Sequence, residues 1–233
     1  TVIDPDTVSA EELPREYYRA HDVGRPKTTA LGEILMDFAG VKVTVGRSEP
    51  FKPLRGIVIY SYSKLNSGQR AKVWEAVQMN PRVDLFIEAC VGAEKPWLFT
   101  VRPCDPDDID WYEIHTPETD APTKAPSLTV CVSLAAEICT VVKRFVLGQR
   151  LENARDLSSL KHLQALPSGA LKLPVTLIGA GGIGSPTALL LAKLGVTDLT
   201  VYDHDKVEEH NLPNQYYRLK DIGRPKVEAL AEI

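Results

Sequence analysis

Long apolar runs are scarce in this chain. The most apolar segment, residues 128–142, is broken by Glu137, and no run is long enough to span a bilayer as a helix. No charged-then-apolar leader opens at Thr1, so the expectation is a soluble, cytoplasmic protein without a membrane partner. A dominant charge is missing too. The 27 Lys and Arg stand against 31 Asp and Glu, a formal net charge of −4, and nucleic acid is not suggested as a partner. Cysteine is sparse: Cys90, Cys104, Cys131 and Cys139 form no C-x-x-C pair, so no structural zinc and no metal ligand set is assigned. Cys131 and Cys139 are expected to be small core residues. At 233 residues the chain can still bury a sizeable core, as one large α/β domain or two incomplete ones.

What is present centres on residues 175–226. An apolar strand, Val175 to Ile178, runs into Gly179, Gly181, Gly182 and Gly184. An apolar helix follows from about Ser185 to Leu194, and a second strand, Leu199 to Tyr202, delivers Asp203 at its end. This is a strand–turn–helix–strand unit with a dinucleotide-type glycine pattern. Glycines let backbone approach a phosphate, and a helix N-terminus offers unpaired N–H groups to an anion. Asp203, 19 residues after Gly184, is placed to accept a ribose hydroxyl. The glycine pattern alone fits NAD, FAD or ATP. Asp205, Asn211, Gln215 and Lys226 add amide, carboxylate and ammonium groups, which suit a triphosphate with magnesium better than a nicotinamide.

The order G-A-G-G-I-G-S, D-H-D-K-V, N-L-P-N-Q and G-R-P-K resembles the ThiF/MoeB and ubiquitin-activating enzyme superfamily over about sixty residues. The resemblance implies a Rossmann-like, mostly parallel sheet flanked by helices. It also implies ATP with Mg2+, and adenylation of the C-terminal carboxylate of a ubiquitin-like or sulfur-carrier protein. By the same resemblance Asp203 holds ribose, while Asn211 and Lys226 meet the phosphates. Asn214 stands where many members have Arg, and Ser63 stands at about the place of the usual metal-binding Asp; a serine cannot supply that charge. Arg70 and Trp74 fall where related bacterial sequences carry similar residues. Cys104 lies in a crossover that in this superfamily can carry a thioester-forming thiol. Its neighbours Asp105, Asp107 and Asp108 would raise a thiol pKa rather than depress it, which favours an incidental cysteine. His115 reads as a lone surface histidine.

The chain also contains a repeat. At a constant offset of 199, residues 1–34 align with 200–233 without a gap, and 19 of the 34 positions are identical. This is an internal duplication. Asp4, Asp6 and Lys27 match Asp203, Asp205 and Lys226, but Glu12 and Glu16 replace Asn211 and Gln215. Acids facing a polyphosphate are unfavourable, so the N-terminal copy reads as degenerate. Further on, strands are expected at 41–45, 56–60, 83–89 and 97–101, with helices at 66–80 and 128–147. The latter stops at Gly148. Residues 102–126 read as a surface crossover.

The resulting division is a ThiF-like module at 1–150 lacking its first strand and glycine loop, a connector at 151–170, and the nucleotide-binding start of a module at 171–233. Parts of two tandem modules, or a circular permutant, both account for it. In either case 171–233 is expected to complete the sheet of 35–150, within one chain or between two. Three functions compete: the adenylating enzyme; a catalytically degenerate pseudoenzyme that binds a ubiquitin-like protein or a partner subunit, favoured by Ser63 and Glu12; and an NAD-dependent oxidoreductase. A homodimer or a partner subunit is compatible with each.

Overall fold

The computed structural model describes residues 2–14, 16–46, 54–62, 67–91, 96–116, 128–155, 157 and 174–233. In chain order the strands and α-helices are β1 (Val2–Ile3), α1 (Lys27–Ala39), β2 (Val45–Gly46), β3 (Gly56–Tyr62), α2 (Ser67–Val77), β4 (Val83–Val91), β5 (Pro96–Val101), α3 (Pro106–His115), α4 (Leu128–Val146), β6 (Val175–Ile178), α5 (Gly184–Lys193), β7 (Leu199–Tyr202) and α6 (Lys226–Ala231). The fold is mixed α/β with parallel strand pairs flanked by helices. Ser63, residues 92–95 and residues 167–169 lie outside the described residues.

The chain forms two compact units, Glu49–Ala165 and Thr1–Ser48 with Leu166–Ile233. In the first, β3 and β4 pair in parallel and β5 joins β4 antiparallel. Side chains alternate between the faces of β4. Leu85, Ile87 and Ala89 pack with Leu98, Leu134 and Val141 beneath α4. Phe86 packs on the other face with Val73, Val77, Phe99, Val101 and Tyr112, from α2, β5 and α3. Both faces of the sheet are therefore covered, which explains the apolar reading of these strands. Glu88 is fully buried on the α2 face. Arg70 grips both its carboxylate oxygens, at 2.7 and 2.9 Å, and the Tyr112 hydroxyl donates to it. Burial and that carboxylate push the Tyr112 hydroxyl's pKa up.

Three local expectations are corrected here. Of the strand expected at 41–45 only Val45 is paired; with Gly46 it forms β2 beside β1. The crossover at 102–126 contains a ten-residue helix, α3. Asp105 caps it by accepting the Asp107 amide at 3.1 Å, Pro106 sits at its first turn, and Asp107 and Asp108 favour its positive end. Cys139 is exposed and Cys131 half-buried, because both lie off the stripe that Val130, Leu134 and Val141 bury.

In the second unit β6 and β7 pair in parallel, Val175 opposite Leu199 through Ile178 opposite Tyr202. Among the described residues these strands hydrogen-bond only to each other. Within one chain, and among the described residues, β6 and β7 do not pair with β3, β4 or β5. Segment 174–233 packs instead against its own repeat. Tyr17 stacks on Tyr216 with ring centroids 6.1 Å apart, and Phe38 of α1 meets Tyr216 edge-on.

Candidate nucleotide site

The C-terminal end of β6 turns at Gly179, whose φ of +97° is costly for any residue with a side chain. Its amide donates to Tyr202 O at 2.7 Å. The next amide, Ala180, donates to the Asp203 carboxylate at 2.6 Å, and the Asp205 amide takes the other Asp203 oxygen at 2.8 Å. Asp203 thus ties the ends of two neighbouring strands together. Each of its oxygens retains acceptor capacity for a further donor such as a ribose hydroxyl. Burial alone would raise its pKa. The amides of Ala180 and Asp205, with Lys226 and His204, outweigh burial and hold it below the ordinary 3.8.

The loop itself closes tightly. A Cβ at Gly184 would lie 1.8 Å from Gly179 O, whereas one at Gly181 would meet nothing within 4 Å. Gly184 is thus required by packing, and the space over Gly181 is open for a ligand. Ser185 is fully buried; its hydroxyl donates to Gly181 O at 2.8 Å and accepts the Tyr216 amide at 3.0 Å. The buried Tyr217 hydroxyl donates to Ala180 O at 2.7 Å. In the first turn of α5 the Ser185 and Thr187 amides already donate to Gly181 O at 2.9 Å and Ile183 O at 3.1 Å, and Pro186 has no N–H, which leaves an anion to the amides of the glycine loop.

Lys226 opens α6 and is buried, with its ammonium 3.1 Å from Asp205 and its amide on Asp205 O at 2.9 Å. Asn211 is buried in a short 3-10 turn, its side-chain oxygen accepting the Glu208 amide at 3.0 Å. The Gln215 side-chain oxygen is buried without a hydrogen-bond partner among the described residues. Ligand atoms of Asp203, His204 and Asp205 lie within 4.8 Å of one another. The fold thus brings together the glycine loop, Asp203, Asp205 and Lys226. Asn214 passes close by, its carbonyl 3.2 Å from where a Gly182 Cβ would be. Cys104 is exposed in the turn before α3, in the other compact unit. Ser185 and Tyr217, which brace the loop, were not singled out as site residues from the sequence. Their signals were the serine directly after the last glycine and the Tyr-Tyr-Arg present in both repeats.

The N-terminal copy repeats the scaffold and changes the charge. The amide of Lys27 donates to Asp6 O at 3.0 Å as that of Lys226 does to Asp205 O. The Asp6 amide donates to Asp4 as the Asp205 amide does to Asp203, both at 2.8 Å. Gly24 and Gly223 share positive φ, +82° and +84°. Glu12 even keeps the capping role of Asn211, accepting the Ser9 amide at 3.1 Å. Yet the Lys27 ammonium is taken by Glu12 and Glu16, each at 3.0 Å. Burial would lower the pKa of Lys27; its hydrogen bonds to the two carboxylates raise it instead. Here the acids already satisfy the lysine that an anion would need.

The glycine loop is thus tied to the strand-end acid Asp203, and Lys226 to its neighbour Asp205. Residues 168–233 match the ThiF family, and over this segment the chain is similar to it. The adenylyltransferase and sulfurtransferase MOCS3 of Arabidopsis thaliana is 48% identical over 65 residues, 28% of this chain and 14% of that protein. The SAMP-activating enzyme E1 of Haloferax volcanii is 45% identical over 58 residues, 24% and 22%. Ubiquitin-like modifier-activating enzyme 5 of Caenorhabditis briggsae is 29% identical over 132 residues, 53% and 28%. The matched part thus spans no more than 28% of any of these three relatives. Among the described residues, no helix is long and apolar enough to cross a membrane.

Proposed function

We propose that residues 171–233 bind ATP, and that they form the nucleotide part of an enzyme adenylating the C-terminal carboxylate of a ubiquitin-like or sulfur-carrier protein. The observation that carries this reading is the junction of Asp203 with the glycine loop, beside Lys226 and beneath open space at Gly181. The names of the relatives, an adenylyltransferase and activating enzymes, support it. They do not support a catalytically silent module. ATP supplies an electrophilic phosphorus: a carboxylate oxygen bonds to the α-phosphorus, and the bond to the departing pyrophosphate breaks. The chain's own residues bind and orient. Loop amides and the ammonium of Lys226 offset phosphate charge, Asp203 accepts from ribose, and carboxylate oxygens of Asp203 and Asp205 are the ones to hold Mg2+. Such chemistry fits a cytoplasmic protein.

ATP–pyrophosphate exchange in the presence of a candidate carrier tests the reading, with calorimetric titration of ATP against NAD as its binding arm. ATP alone is expected to bind, and exchange is expected to stop when Mg2+ is chelated. Lys226→Ala should weaken ATP by about tenfold to a hundredfold, the worth of a charge-assisted contact. Equal affinity of the variant and the parent would remove Lys226 from the site, and preferential NAD binding would overturn the adenylation reading.

A further inference from the structure

The helix behind the glycine loop is lightly held along its length: Ser185 and Ala188 are its buried residues. Its far end is held differently. Lys193, the last residue of α5, is half-buried and donates to three backbone carbonyls of the N-terminal copy: Leu13 at 2.8 Å, Glu16 at 2.7 Å and Tyr18 at 3.0 Å. An ammonium has three donors, and here all three are used. The same loop is fixed from its other side, where the Glu16 carboxylate meets Lys27 of α1.

A helix of this length is a rigid rod of roughly 15 Å. Its N-terminal end is seated by Ser185 on Gly181 and on the Tyr216 amide. With both ends held, the seat of the glycine loop on the head of α5 is fixed. With the far end loose, the rod can swing and carry the attached glycine loop with it, which weakens a site built on oriented loop amides.

We propose that Lys193 is a positioning residue for the nucleotide loop. Through three carbonyls of the N-terminal copy it fixes the far end of α5, and so that copy takes part in nucleotide binding without touching the nucleotide. This rests on the ATP reading above. The contact is between an ammonium and backbone, so it tolerates change in the side chains of the loop but not loss of the lysine's donors.

The test uses the full chain with K193M and K193R, followed by calorimetric ATP titration and amide hydrogen exchange. K193M is expected to weaken ATP about tenfold and to speed exchange both in α5 and at Glu16, Tyr17 and Tyr18, with residues 83–101 unchanged. K193R, which keeps the donors, should recover part of both effects. Unchanged affinity and exchange in K193M overturn the proposal. A parent that binds no ATP, with the exchange effect present, overturns the nucleotide reading while supporting the lysine tether. Should K193M fail to fold, the parent alone decides: by reciprocal linkage, saturating ATP must slow exchange at Glu16, Tyr17 and Tyr18, and no slowing overturns the proposal.

Discussion

Asp203 and the glycines it holds show how much of the site rests on single atoms. The carboxylate spends one oxygen on Ala180 and the other on Asp205, and its pKa lies below 3.8 because those amide bonds, with Lys226 and His204, outweigh the burial that would raise it. A folded-state pKa below the unfolded one gives stability that is present above the unfolded value and lost as pH falls through the folded value. Loop protection should therefore be level at neutral pH and fall only in acid. Asp203→Asn should remove that acid limb and cost about 1 kcal/mol at neutral pH, the worth of a partly exposed charged hydrogen bond. Exchange of the Ala180 amide against pH measures both. Two glycines separate packing from binding in the same loop. Gly184→Ala puts a methyl 1.8 Å from Gly179 O and should break the loop, lowering stability by roughly 3 kcal/mol or more. Gly181→Ala meets nothing within 4 Å, so its melting should stay within about 1 kcal/mol of the parent while ATP affinity falls. Thermal melts and calorimetry on the pair distinguish a space reserved for ligand from one that is merely open.

At the scale of elements, β6 and β7 are where their apolar runs place them, because each is short, bounded by turn residues and paired in register with the other. Helix α3 was hidden for a physical reason. Its cap and first turn, Asp105-Pro106-Asp107-Asp108, use the residues that also build loops, and helix starts and turns satisfy backbone donors in the same way. The buried Ile109 and Tyr112, at helical spacing, are what distinguish it. Asp105→Ala should cost about 1 kcal/mol, read as a lower melting temperature. In the candidate site, the closeness of Asp203 to the glycine loop was legible because the acid ends the strand that runs parallel to the strand leading into the loop. Lys193 was not. Its acceptors are backbone carbonyls 175 to 180 residues away, and carbonyls leave no trace in residue type. Cys139 misled because α4 is apolar around much of its circumference, so composition did not show which side faces solvent.

Over the whole molecule the duplication is the organising fact. Residues 1–48 and 166–233 form one compact unit, and within it Tyr17 stacks on Tyr216, its own counterpart at the repeat offset. A residue that meets its counterpart marks an approximate two-fold relation, as at an isologous dimer interface. The two copies then diverged in charge while keeping this face, so pairing and anion binding are separable properties of one segment. The stacked pair should show it. Aromatic pairs contribute roughly 0.5–1.5 kcal/mol beyond their buried area, and a double-mutant cycle isolates that share. Tyr17→Leu and Tyr216→Leu should each destabilise the unit, and the double variant should lose less than the sum of the two by about 0.5–1.5 kcal/mol. Denaturant melts of the four chains give the coupling. Strict additivity would mean that the rings stack without contributing, and that the Lys193 tether and the α1 contacts hold the copies together instead.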